Sequence, residues 1–390
     1  MASFWNQLFE QTANTRKEEA SRQNRRRTLR DGRMVRRVFF AVLALGCIAT
    51  LMISPALADK DKSLQAQKLI DEGKYKQAVQ AFTAVIAQKP TDADGYRGRA
   101  EALLMLDRYS DALSDYSRLV AYVLPVNSNA VSDVYASYDA RLAKKPKDLP
   151  ALTGACFVHW WSYDSQVAAD LADSILLRHP KSVFGKLFRG SSNLFAGNNP
   201  IQAVNDLDRA IQLAPCNPHV RFIVSDAYTY ALPDPNIAFA QAMLALMEGI
   251  DTPRIHAILA SAFFAFGDYN SAANELFVHV DLVTSDIVNL APLASATDVT
   301  IHLVPRRTFS IPVGAAAGDV LSIVTNSPSG EISDSIVVLL APDGTPVFGN
   351  DDFNGFYAGF DWTVSVAGTY ELLVTSFESI GTGQLVVTRN

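Results

Sequence analysis

Cysteine, clustered histidine and the short signatures of enzymes are all scarce in this chain of 390 residues. The three cysteines are Cys47, Cys156 and Cys216, and none stands at metal-ligand spacing from another Cys or a His. The six histidines (159, 179, 219, 256, 279 and 302) are scattered singly. Zinc frameworks built on paired Cys or on a His-Glu-x-x-His helix are therefore excluded. There is no phosphate loop and no dinucleotide fingerprint. Glu378-Ser379-Ile380-Gly381 offers a serine but lacks the leading glycine of a nucleophile elbow, and no His follows it. Catalysis is not expected. Positive charge is also confined. Ten of the 34 Lys and Arg residues fall between Arg16 and Arg37, and only four of the 40 acidic residues lie within 1–58. The remainder holds 24 basic against 36 acidic residues, which argues against a nucleic-acid or anionic-membrane surface there.

The basic segment leads into Val38-Phe39-Phe40-Ala41-Val42-Leu43-Ala44-Leu45 and an uncharged stretch ending at Ser54-Pro55-Ala56-Leu57-Ala58. A positive flank, an apolar core and an Ala-x-Ala ending are the parts of a secretory signal, with cleavage after Ala58. The 21 residues from Val38 to Ala58 also match the span of a membrane anchor whose basic flank stays inside. Under either reading this segment engages the membrane or the export machinery, and residues 59–390 end up outside the cytoplasmic membrane. Cys156 and Cys216 are then left either to form a disulfide or to sit as small buried residues in helices.

The strongest pattern after residue 59 is an internal repeat. Gly73-Lys74-Tyr75, Ala78, Phe82 and Pro90 recur as Asp107-Arg108-Tyr109, Ala112, Tyr116 and Pro125, with the first of these positions 34 residues apart. Prolines follow at Pro146, Pro180 and Pro215, and Gly267-Asp268-Tyr269, Ala272 and Leu276 repeat the signature. Gly73 ends one helix in a left-handed conformation, and Tyr75 starts packing the next. Ala78 lets two helices approach, Phe82 fills the space between hairpins, and Pro90 stops the second helix. A single such hairpin cannot bury its apolar face, so stacking into a superhelix is obligatory.

This period and residue pattern resembles the tetratricopeptide repeat. The resemblance covers about 59–285. The hairpin from Leu149 to Pro180 lacks the Gly-x-Tyr turn, Pro233-Asp234-Pro235 gives an irregular one, and 125–146 is too short for a full repeat. In that family the first helix of each repeat lines a concave face that binds protein partners. The repeat frame puts Phe157, Trp160, Trp161, Phe188, Phe195 and Tyr228 toward that face, either as a groove for a partner segment or as core. The family's basic clamp for a C-terminal carboxylate is missing, since Asp94, Arg97 and Glu101 stand at the corresponding places.

Near Ala296 the period changes to that of strands. Val299–Leu303, Val320–Val324, Ile336–Leu340, Tyr370–Val374 and Gln384–Thr388 are short β-rich runs between Gly, Pro, Asn and Asp turns, the pattern of a β-sandwich. Gly318-Asp319-Val320-Leu321, Asp334-Ser335, Pro342-Asp343-Gly344, Asn350-Asp351-Asp352 and Ala367-Gly368-Thr369-Tyr370 come in an order that resembles the bacterial pre-peptidase C-terminal domain. That family supplies secreted accessory modules for localisation, substrate contact or calcium binding. Calcium is the one cofactor the residues point to. Asp351, Asp352, Asn350 and Asn354, with Asp334, Asp343 or Asp361, offer the hard oxygen ligands it takes. The same residues also serve as plain turn formers.

The expected architecture is thus multidomain, an all-α helical-repeat solenoid over 59–285, a linker over 286–298 and an all-β sandwich over 299–390. The expected function is that of an exported, non-enzymatic scaffold that binds a protein through its repeat groove and docks through its sandwich. The alternative is a carbohydrate- or calcium-binding protein with its site in the sandwich and the repeats as spacer.

Overall fold

The computed structural model describes residues 55–119, 130–293, 297–303, 306–326, 334–351, 357–376 and 381–389. The expected signal or anchor segment lies outside these residues up to 54, and 55–58 open the first helix. Among the described residues no helix is long and apolar enough to cross a membrane.

Among the described residues thirteen helices precede the strands. Five of the six antiparallel hairpins are α1 (Pro55–Asp71) with α2 (Tyr75–Gln88), α3 (Ala93–Leu104) with α4 (Tyr109–Arg118), α6 (Leu149–Trp161) with α7 (Ser165–Leu176), α8 (Val183–Phe195) with α9 (Pro200–Leu213), and α10 (Pro218–Tyr230) with α11 (Pro235–Met247). The sixth is α12 (Pro253–Ala265) with α13 (Tyr269–Val283), while α5 (Ala130–Lys144) stands alone between the second and third. The chain therefore forms a tetratricopeptide-like solenoid.

The turn inside five of the six hairpins explains its sequence. Gly73, Asp107, Tyr163, Gly197 and Gly267 all have φ between 59° and 76°. In each case the next residue's N–H bonds back to the carbonyl five residues earlier, as in Lys74 to Leu69 and Asp164 to His159. This is a Schellman closure, which needs one left-handed residue. The first helices start on side-chain caps, among them Asp148 accepting from Ala151 N, Ser182 from Gly185 N and Thr252 from Ile255 N. Recurrent ion pairs tie the hairpins. Arg99 grips Asp115 at 2.6 Å, and Arg189 grips Asp206 at 2.6 Å. Buried Glu101 accepts both of its 2.7 Å bonds from Arg141 Nη1, linking α3 to α5.

Among the described residues α5 has no hairpin partner, and α4 packs against the helices of the following repeats. Tyr109 packs on Phe184 and Phe188 at 5.7 and 5.6 Å, and Tyr116 stacks on Phe157 and Trp161 at 5.4 and 5.9 Å. Asn217 Nδ2 donates to the Asp107 carbonyl at 3.2 Å, and His219 bonds Ser110. One continuous core results, running from Tyr96 to Ala272.

Among the described residues nine strands follow in two sheets, ordered β1-β3-β8-β5-β6 and β2-β9-β4-β7. They are β1 (Asp286–Asn289), β2 (Thr297–Leu303), β3 (Arg307–Ala315), β4 (Val320–Asn326), β5 (Ser335–Leu340), β6 (Pro346–Asn350), β7 (Gly359–Thr363), β8 (Gly368–Ser376) and β9 (Gly381–Arg389). β1 pairs in parallel with β3, so residues 286–289, expected to be linker, are instead an edge of the first sheet. β5 is buried on both faces. Its period of two sends Val337 and Leu339 into the sandwich core, while Ile336, Val338 and Leu340 pack with Leu276 and Val280 of α13. Gly349 of β6 keeps this junction close, because a Cβ there would stand 3.1 Å from Leu276 Cδ1. Cys156 is buried and Cys216 exposed, both as free thiols, so they form neither the disulfide nor a pair of buried helix residues.

Two buried histidines near this junction make stability depend on pH in opposite senses. Burial pushes His279, whose Nδ1–H donates to the Pro253 carbonyl at 2.8 Å, down to about 4. Between about 6.5 and 4 the unfolded chain takes up this proton and the native state does not, so acidification costs about 3 kcal/mol. Burial opposes charge on His256 as well, but hydrogen bonds with Asp251 and Glu275 outweigh it and hold its pKa above the ordinary value. That contribution is complete below the unfolded pKa and is lost as pH rises through the raised one. In urea unfolding, His279→Asn is expected to lose less stability than the native chain between pH 7 and pH 4.5. An unchanged pH slope would refute the assignment.

Candidate partner-binding site

The residues expected on the concave face do lie on the first helices of their hairpins, but α4 covers most of them. Phe157 and Phe188 are fully buried, and Trp160 and Tyr228 are nearly so. Phe157, Trp160 and Phe188 form one aromatic cluster with ring centroids 5.1–5.5 Å apart. These side chains are core, and the expectation of an open groove lined by them is corrected: the chain's own α4 fills it. Trp161 and Phe195 are half-buried and remain at the surface of the cluster.

Beside them is a small pocket lined by Leu113, Trp160, Trp161, Tyr163, Phe195, Asp226 and Arg254. Five helices and one turn converge on it, α4, α6, α8, α10, α12 and the α6–α7 turn. Its volume of about 10 Å³ holds roughly one water. Asp226 is fully buried in α10. Its Oδ1 accepts from Arg254 Nε at 2.5 Å, whereas Oδ2 has no hydrogen-bond partner among the described residues. Trp160 Nε1 donates to Ser191 Oγ at 2.8 Å, which fixes that indole as one wall. The Arg254 guanidinium lies 5.3 Å from the Tyr230 ring centroid. Desolvation holds the Tyr230 phenol well above its ordinary pKa; Arg254 acts against this, and Asp351 and Asp226 add to it.

At the mouth stands Tyr163, 67% exposed and with φ of +60°. Its edge meets the Phe195 ring at 6.1 Å. Gly73, Gly197 and Gly267 hold the same turn position in other hairpins. A tyrosine there costs about 1–2 kcal/mol of backbone strain that glycine avoids. The 34-residue frame does contain this signal, as an aromatic where glycine belongs, and Asp226 is a carboxylate amid the apolar run of α10. Arg254 and Leu113 give no comparable sign in the sequence.

The proposed calcium ligands are dispersed. Asp343 sits in the β5–β6 turn and accepts from Thr345 N at 3.0 Å, a bond that lowers its carboxyl pKa. Asn350 is at the other end of β6, where Oδ1 accepts from Gly359 N at 3.3 Å. Asp361 accepts from Ser322 Oγ at 2.5 Å across β4 and β7. Asp334 and Asp351 flank the paired ends of β5 and β6, while Asp352 and Asn354 lie outside the described residues. Of the alternatives Asp334, Asp343 and Asp361, Asp343 thus stands at the opposite end of β6 from Asn350 and Asp351. Among the described residues no group of three acidic, His or Cys side chains is placed to hold a metal.

The tetratricopeptide repeat family model matches residues 69–121. No curated protein matches the chain in sequence. Among solved structures, a thermophilic tetratricopeptide repeat protein of Thermus thermophilus is similar at 16% identity, covering 53% of this chain and 99% of its own, with a TM-score of 0.33. Two others align over 27% of the chain. The pre-peptidase C-terminal domain of a Bacillus anthracis collagenase does so at 14% identity, 96% of its own length and a TM-score of 0.21. PliG of Aeromonas hydrophila, a periplasmic inhibitor of g-type lysozyme, does so at 16% identity, its full length and a TM-score of 0.23. Tetratricopeptide solenoids are in general non-catalytic scaffolds for protein interaction, and no catalytic family is indicated.

Proposed function

We propose that the protein is an exported, non-enzymatic scaffold that engages a protein partner at the aromatic pocket on the inner face of its solenoid. The carrying observation is the half-buried rim of Trp161 and Phe195 with exposed Tyr163, around a buried carboxylate that keeps one oxygen unpaired. Surface aromatics around a desolvated polar group are the composition of binding hot spots. The sandwich fits a pre-peptidase C-terminal-like accessory module. Its ordered motifs fall at strand boundaries, with Asp319 before β4, Asp334 before β5, Asp343 between β5 and β6, and Gly368 opening β8. Export rests on the signal-like segment 38–58.

The test is affinity capture from envelope and culture fractions with the full chain as bait, beside Trp161→Ala. A protein retained by the first and lost from the second is the expected result. Equal retention by both baits would move the binding surface elsewhere, and a chain recovered only from cytoplasm would overturn export.

A further inference from the structure

Acidic residues outnumber basic ones in residues 59–390 by 36 to 24, yet positive charge gathers on two consecutive inter-hairpin loops. Lys144, Lys145 and Lys147 stand where α5 passes into α6, and Arg178 and Lys181 where α7 passes into α8, all of them exposed. The two loops are neighbours. Helices α6 and α8 meet through the rings of Phe157 and Phe188, 5.3 Å apart, and through Trp160 Nε1 and Ser191 Oγ at 2.8 Å. Both pairs are separated by 31 positions, so the helices run side by side in one direction and start at one edge, about 10 Å from each other. The charge there is not neutralised. Among the described residues the four lysines make no hydrogen bond or ion pair, and Arg178 donates to the Ser174 carbonyl at 2.7 Å. The carboxylates of the adjoining helices are engaged elsewhere, Asp148 by Arg141 at 3.1 Å and Asp173 by Arg189 at 2.7 Å. Next to Arg178 stands Leu177, 81% exposed.

We propose that this edge docks an acidic segment of a protein partner, whose carboxylates pair with Lys144, Lys145, Lys147, Arg178 and Lys181 while one of its apolar side chains covers Leu177. The extent and surroundings of the patch select this occupant. An extended segment advances about 3.3 Å per residue, so about three residues carry it from one loop to the next. A flat anionic bilayer fits less well, because the same row of loops carries Glu248 and Asp251, with side chains 36% and 65% exposed, and would press these acids against it. A second copy also fits less well, since the acids of its sandwich are dispersed and Asp286 and Asp319 pair with Arg307 and Arg389. One exposed ion pair contributes little, but five cations without local acids act on one segment together, and salt screens the attraction. The edge lies at the start of α6, about 20 Å along that helix from Tyr163, and goes beyond the pocket reading without depending on it.

The full chain is titrated with fluorescein-labelled peptides Glu-Glu-Leu-Glu-Glu, Glu-Glu-Ser-Glu-Glu and Gln-Gln-Leu-Gln-Gln, and anisotropy is read. Ten cations between Arg16 and Arg37 also attract acidic peptides, so the triple variant Lys144→Gln, Lys145→Gln, Lys147→Gln is compared with Arg25→Gln, Arg26→Gln, Arg27→Gln, which removes the same charge elsewhere. The three lysines are exposed, so the fold should be kept, and an unchanged melting temperature checks it. The glutamate-leucine peptide is expected to bind about fivefold or more weakly to the lysine variant and less than about twofold more weakly to the arginine variant. Its binding should also weaken as salt rises from about 0.05 M to about 0.5 M. Leu177→Ser should weaken the leucine peptide about threefold and leave the serine peptide unchanged. Equal losses in the two triple variants, equal binding of the glutamine peptide, or no effect of Leu177→Ser would each overturn the proposal. A dimer, or binding to phosphatidylglycerol vesicles, that needs the loop lysines while the peptides do not bind would overturn it too, assigning the edge to a second copy or to lipid. The capture experiment is read separately, because Trp161→Ala leaves this edge untouched. A partner lost with Trp161→Ala beside absent peptide binding sinks only the edge, whereas peptide binding beside equal capture by both baits sinks only the pocket.

Discussion

Phe188→Ala is expected to lower the free energy of unfolding by about 3–5 kcal/mol, the range for emptying a buried phenylalanine site. Its ring touches four others, with centroids at 4.4 Å to Phe184, 5.1 Å to Trp160, 5.3 Å to Phe157 and 5.6 Å to Tyr109. The last comes from α4, so the cavity would open between two distant parts of the repeat array. Rigid helices on each side leave little freedom to close it. Urea denaturation at fixed pH gives the number directly. Phe195→Ala, on the half-buried rim, is the control, and it should cost less than half as much. A cost for Phe188→Ala below about 1 kcal/mol would mean that the ring faces solvent and that α4 does not cover it.

The contrast between these two phenylalanines shows what the sequence can and cannot reveal. Both occupy inner-facing positions on α8, and repeat spacing assigns them to the same face. What separates them is α4, whose Tyr109 packs edge-on against Phe188. A repeat period describes nearest neighbours. It carries no record of the contact between Asp107 and Asn217, which are separated by 110 positions. The hairpins themselves were legible, because a left-handed turn, a small residue at the crossing and a proline stop are local requirements. The strands were legible for the same reason, with one informative difference. Ile336-Val337-Val338-Leu339-Leu340 is an unbroken apolar run, and such a run marks a strand covered on both faces. The helix covering its outer face, α13, belongs to the solenoid. The expected linker was thus partly strand, and the two halves share a core. Of the pocket, Trp160, Trp161 and Phe195 were visible as aromatics at helical spacing. Asp226 stood out only as a carboxylate in an apolar helix, and its partner Arg254 not at all, because an ion pair between successive first helices has no spacing signature.

Val338→Asp tests that shared core and should have the second large effect. Val338 is fully buried with Leu276, Val280 and Ala260 on its helical side. A carboxylate placed there has no cation among those neighbours, and burying it uncompensated costs several kcal/mol or forces it to take up a proton. The side chain points away from the sandwich interior, where Val337 and Leu339 lie, so the sandwich's own core is left intact. The expected result is separation of the two parts. The native chain should unfold in one transition, and the variant should show a second, earlier one or a gain in amide exchange along α13 at neutral pH. The matching substitution on the other side, Leu276→Asp, should give the same result, because Leu276 meets both β5 and Gly349 of β6. If either variant keeps a single transition at the native midpoint, the apolar faces of β5 and α13 do not hold the solenoid and sandwich together. A sandwich fixed in this way is held against α13 through β5 and β6 rather than hung on a free linker.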